Sequence, residues 1–160
     1  MGGTPDVDAL KRSLKSDDRN ERACAVLALA ERGGEGVREL VTAAKGDDDD
    51  LVATAAALAC WRMGEKGVSW DRAIDALLSD DDDAVVAAVE ALQEAGDAAV
   101  GALGERVNKS GSSGVKVVRM LGEIGGERAR KVVEELAGSG EEEVTAAARK
   151  ELEEWDDGEE

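Results

Sequence analysis

The chain has 160 residues, 37 of them acidic and 20 basic, a formal charge of −17, and 42% hydrophobic residues whose only aromatics are three tryptophans. That length suits one domain, and the charge disfavours nucleic acid and anionic membranes, whose binding draws on cationic contacts. With no histidine at all, Ser-His and Cys-His nucleophile pairs are excluded.

In chain order, Pro5 to Lys15 carries Val7, Leu10 and Leu14 at helical spacing, with Pro5 suited to the first turn of a lone helix, a half-repeat over 5–16. Then come helix, glycine turn, helix units over about 17–46, 47–79, 80–110 and 111–140. Their turn glycines are Gly33, Gly64, Gly96 and Gly125, spaced 31, 32 and 29 residues apart. A period of this size marks a solenoid.

Four residues before each glycine stand Leu29, Cys60, Leu92 and Leu121; eight before stand Ala25, Ala56, Ala88 and Val117. These form the expected buried ridge of each first helix. In the second helices, Leu40, Leu103 and Val132, then Ala44, Val107 and Leu136, are expected to face inward. The second unit fits, through Ala73 and Leu77, when two extra residues are allowed in the turn Glu65 to Ser69.

A closing half-repeat over 141–155 repeats the first-helix pattern with Val144, Ala147, Ala148, Leu152 and Trp155, and the acidic tail 156–160 is expected to fray. About ten helices result. Acidic runs at Asp17-Asp18, Asp47 to Asp50, Asp80 to Asp83 and Glu141 to Glu143 stand just before first helices, where carboxylates cap free amides and oppose the helix dipole. The link Ser110 to Gly114 breaks this rule; Ser112 or Ser113 is the expected cap, and the link the softest joint. Cys24 and Cys60 read as reduced, buried small residues.

The endings of the first helices, Leu121 to Gly125 above all, resemble the short HEAT repeats of phycobilin lyase-like proteins. Arg22, Ala25, Ala28, Leu29 and Gly33 stand at matching places in the first unit. The chain departs from that pattern at Ala53, Val85 and Gly114, where the family has Arg, and at Trp61 and Gln93, where a small residue is usual. The resemblance implies an all-α, right-handed α-solenoid of stacked antiparallel helix pairs in a single domain. Repeats of this kind serve both in chromophore lyase subunits and in plain scaffolds. The acidic composition is also similar to that of proteins from salt-adapted organisms.

No catalytic constellation can be assembled, so the chain reads as a non-enzyme. The aspartate runs lack the alternation, central glycine and distal Glu of an EF-hand, and Gly111 to Lys116 lacks the spacing of a phosphate loop. Neither a metal nor any other cofactor is expected. By the resemblance, second helices line the concave face; outward positions there carry Arg38, Arg72, Asp75, Arg106, Arg130, Lys131 and Glu135. This row is the candidate surface for a protein partner, in particular an acidic segment, although the same bases can simply neutralise neighbouring carboxylates.

Trp70 aligns with Val37, Val100 and Ala129 and is expected in the core; Trp61, replacing a small residue, is open to being forced outward; Trp155 is expected to seal the C-terminal end. The leading expectation is a non-catalytic adaptor, cytoplasmic and monomeric, that binds a protein and neither nucleic acid nor membrane. Two alternatives stand beside it: a lyase-like accessory subunit that binds a tetrapyrrole chromophore or its carrier protein, and an engineered or purely structural repeat array.

Overall fold

The computed structural model describes residues 6–110, 114–139 and 141–158, of which 108–110 by backbone alone. The expectations for Pro5, Ser112 and Ser113 lie outside the described residues. Among those described there are ten helices and no strand: α1 (Val7–Ser13), α2 (Arg19–Arg32), α3 (Val37–Ala44), α4 (Asp50–Arg62), α5 (Asp71–Leu77), α6 (Asp82–Ala95), α7 (Asp97–Ser110), α8 (Gly114–Ile124), α9 (Gly126–Leu136) and α10 (Glu142–Gly158).

Helix starts follow from the acidic runs. Asp18 accepts the Asn20 amide at 2.8 Å, Asp49 the Leu51 amide at 2.9 Å, and Asp6 the Ala9 amide at 2.7 Å. The Ala84 amide reaches Asp81 at 3.4 Å, so α6 starts the same way. Each such cap satisfies a donor the helix cannot satisfy itself, at roughly 1 kcal/mol.

Helix ends follow from the aligned glycines. Gly33 and Gly125 adopt nearly the same backbone, φ 68 and 67 with ψ −168 in both, a conformation closed to residues with a side chain. Their amides donate to Leu29 and Leu121, the ridge residues four positions earlier, and Gly96 donates to Leu92 in the same way. The second unit closes differently. Met63 caps α4 by donating to Ala59, Glu65 donates to Cys60, and the longer turn carries the chain to Trp70 before α5 begins.

The chain divides into two compact units, Met1–Ala91 and Leu92–Glu160, with the boundary inside α6. In the first, α4 is the centre: α2, α3 and α5 all pack on it, and every residue from Leu51 to Cys60 is buried. A helix that is apolar on all sides is stable only when covered on all sides. Among the described residues, α2 also touches α1 and α3. In the second unit α7 packs on α8 and α9, α8 on α9, and α10 on both α8 and α9. Contacts within each unit thus run to the next helix and the next but one.

The first-helix ridge is buried throughout: Leu29, Cys60, Leu92 and Leu121, with Ala25, Ala56, Ala88 and Val117. The second-helix stripe is buried at Val37, Trp70, Val100 and Ala129, so Trp70, only 3% exposed, belongs to the core as expected.

Four expectations are corrected. Leu40 and Ala44 are only half-buried, because the short helix α3 turns Val37 and Val41 inward instead; Val132 likewise yields to Val133. Cys24 is exposed, flanked by the buried Ala23 and Ala25 on the inward side of α2, while Cys60 is buried; both are free thiols. The acidic tail does not fray after Trp155, since α10 continues to Gly158 and Asp156 accepts a hydrogen bond from Arg130 at 2.6 Å.

Candidate functional site

The predicted basic row is largely spent on its own protein. In the first unit, the Arg72 guanidinium donates to the Asp50 carboxylate at 2.8 Å and to the Asp47 carbonyl at 2.8 Å, tying the start of α5 to the start of α4. Arg38 reaches the Met63 carbonyl at the end of α4, at 3.3 Å. In the second unit, Arg130 bridges Glu134 on its own helix and Asp156 on α10. Asp75 and Arg106 also have interactions with other residues. Lys131 and Glu135 are exposed on α9. The pairs around Arg72 and Arg130 are partly solvated, where each contributes on the order of 1 kcal/mol or less.

A second charged group lies at the helix starts of the first unit, where the recurring aspartates meet Arg22, which belongs to the repeat pattern, and Arg19, which does not. Arg19, the first residue of α2, pairs with Asp81 and Asp83 at the start of α6 and lies 3.7 Å from Asp49 at the start of α4. Arg22 donates to both oxygens of Asp47, at 3.1 and 3.3 Å, and to the Ser16 carbonyl at 2.9 Å.

The hydrogen bond from Arg19 holds the Asp81 carboxyl down at about 2, and Asp81 in turn raises the Arg19 guanidinium. For Asp47, partial burial opposes ionisation; the Asp49 amide and Arg22 outweigh it, so its carboxyl also falls below the usual range. These carboxylates are engaged by arginines and amides. Among the described residues no group of three potential ligands is arranged to hold a metal ion.

A third feature is the chain's one buried thiol. Burial pushes the Cys60 thiol up, and its hydrogen bond to Glu65 adds to the effect. Glu65 is held low, first by that thiol and then by Lys45, whose ammonium lies 3.2 Å away. A raised thiol pKa is the opposite of what a nucleophile needs.

A cleft of about 600 Å³ lies in the second unit between α8 and α10. Val115, Ala146, Ala147 and Trp155 give it apolar walls, and Glu151, Arg119 and Lys150 also line it. Trp155 also borders a neighbouring cleft of about 450 Å³ against Gly126 and Arg130, so the expected seal of the C-terminal end is a half-buried wall between two openings. Trp61, in the first unit, is half-buried as well and meets Trp70 edge to face, with ring centroids 6.2 Å apart.

The sequence pattern missed this cleft. Its only signal is Gly122, which stands three residues before the turn glycine, where Ala30, Trp61 and Gln93 stand in the other units. A Cβ there would meet the Glu151 carboxyl carbon at 2.6 Å. Glycine therefore lets that carboxylate lie directly against α8.

No known family profile matches the chain, and no curated protein resembles it at a significant level. No described helix is long and apolar enough to cross a membrane.

Proposed function

We propose that the chain is a non-catalytic docking platform for a protein partner, built as a HEAT-like, right-handed stack of antiparallel helix pairs. The supporting observation is the recurrence of one buried register. The same first-helix positions, four and eight before the glycine, are buried in all four units, and the same second-helix position is buried beside them. Helix contacts within each unit to the next and next-but-one neighbour support this reading. Such an array holds extended surface without needing a catalytic pocket.

Affinity capture from a native lysate, followed by reconstitution with the purified captured protein, tests this reading. One stoichiometric partner is expected. The charge-reversal variant Arg38→Glu, Arg72→Glu, Arg106→Glu then locates the contact. Loss of binding places it on the second-helix row, and unchanged binding moves it elsewhere on the platform. If no captured protein reconstitutes, a purely structural array becomes the better account.

A further inference from the structure

The cleft between α8 and α10 combines three properties that point to one kind of ligand. First, its volume, about 600 Å³, leaves room for a large side chain together with the backbone that presents it, and its walls at Val115, Ala146, Ala147 and Trp155 are apolar. Second, its carboxylates are unequally engaged. Glu123 accepts a hydrogen bond from Gln93 at 3.0 Å and Glu154 lies 3.8 Å from Lys150, whereas Glu151 has no hydrogen bond or ion pair among the described residues.

Glu151 is nevertheless half-buried, held against Gly122, and burial followed by the nearby Glu154 pushes its carboxyl up. Lys150 and Arg119 offset this only in part, and among the described residues neither forms a hydrogen bond or ion pair with it, so a directly bonded counter-charge is still lacking. Third, an indole stands in the same wall, an apolar surface against which the methylene stem of a long cationic side chain can lie.

We infer that this cleft is a docking groove for a single arginine side chain presented by a protein partner, with the guanidinium on Glu151 and its stem against Trp155. Charge favours this occupant: a chain of formal charge −17 draws basic surfaces towards it. The fork of a guanidinium also matches a carboxylate in two parallel hydrogen bonds, which an ammonium cannot do. Arg119 and Lys150 at the cleft oppose a second cation, so an isolated arginine among small residues fits better than a basic run. This inference rests on the platform reading and names one of its contact points.

The test uses the full chain, 15N-labelled, titrated with acetyl-Ala-Ala-Arg-Ala-Ala-amide and with the same peptide carrying norleucine in place of arginine. The three indole N–H signals separate the tryptophans, and Trp155→Phe assigns the relevant one. With the arginine peptide the Trp155 signal is expected to move while those of Trp61 and Trp70 stay. Glu151→Gln and Gly122→Ala should each weaken binding at least tenfold, with Glu31→Gln on α2 as the control for general loss of charge.

Equal response to the norleucine peptide, movement of all three indoles together, or unchanged affinity in Glu151→Gln overturns the inference. Because Gly122→Ala alters the cleft without removing a charge, it keeps the test valid if either variant is less stable. A partner still captured by the wild type and by Glu151→Gln alike overturns the groove while leaving the platform intact.

Discussion

Helices α4 and α8 occupy the same place in their repeats, shortly before the turn glycines Gly64 and Gly125, yet they live in different surroundings. In α4 ten consecutive residues from Leu51 to Cys60 are buried, and even the Thr54 side chain is 0% exposed with its hydroxyl unpaired. In α8 burial is confined to one side, at Gly114, Val117, Val118, Met120 and Leu121, and the other side, at Val115, Arg119 and Gly122, faces a cleft. The register of a repeat therefore fixes which side chains form its ridge but not how many neighbours cover the rest. A fully covered helix adds stability, and a half-covered one leaves surface available for binding.

This contrast can be broken first at the ridge, where the two helices should behave alike. Leu121→Ala is expected to cost about 2–5 kcal/mol in a denaturant titration, since Leu121 is fully buried and its neighbours close only partly over the void. Away from the ridge they should diverge. Ala57→Leu in α4 should destabilise by about 1–3 kcal/mol through overpacking, whereas Val115→Leu, on the cleft side of α8, should change stability by less than about 0.5 kcal/mol.

Thr54→Val should stabilise by about 1 kcal/mol, because it keeps the shape and removes a buried hydroxyl that has no partner. A thermal melt showing destabilisation would mean that the hydroxyl is satisfied after all.

Acid should separate the units by sign. Asp81 and Asp47 titrate below their usual values in the folded chain, so the stability they supply is complete above pH about 4 and is lost in more acid solution, for Asp81 as the pH falls through about 2. Glu151 is shifted the other way: its ionisation costs stability above the ordinary carboxylate range, and protonation relieves that cost. Amide protection, taken relative to the intrinsic exchange rate at each pH, is therefore expected to fall at the starts of α2, α4 and α6 before it does in α8 and α10 as pH is lowered. The smallest effect expected is from Glu151→Gln, which should raise the melting temperature slightly at neutral pH and lose that advantage in acid.

Much of the fold was legible because period and chemistry agree. The turn glycines, the ridge at Leu29, Cys60, Leu92 and Leu121, the aspartate caps and the two-residue insertion that places Trp70 in the core all follow from spacing alone. What spacing handled less well was rotation. A helix of eight residues such as α3 has two turns to bury, and choosing Val37 with Val41 over Leu40 with Ala44 depends on how it lies against α4, which no local pattern encodes.

The candidate site was less legible still. A basic residue at an outward position looks the same in sequence whether it meets solvent, as Lys131 does, or a carboxylate on another helix, as Arg72 and Arg130 do. The groove beside Glu151 depends on which flank of α10 is left uncovered, a property of the assembled unit.

Arg19 joins the starts of three successive first helices, α2, α4 and α6, by contacts to Asp49, Asp81 and Asp83. One side chain is only a few ångströms long, so it works as a gauge on the segment between. A residue added to or removed from α4 or α5 would shift Asp81 out of its reach. At the opposite ends of these helices the contacts are pairwise, as from Arg38 to Met63 and from Lys45 to Glu65, and in the second repeat the turn after α4 already holds two extra residues. Natural variation in repeat length should therefore accumulate at the glycine turns and be purged at the aspartate ends.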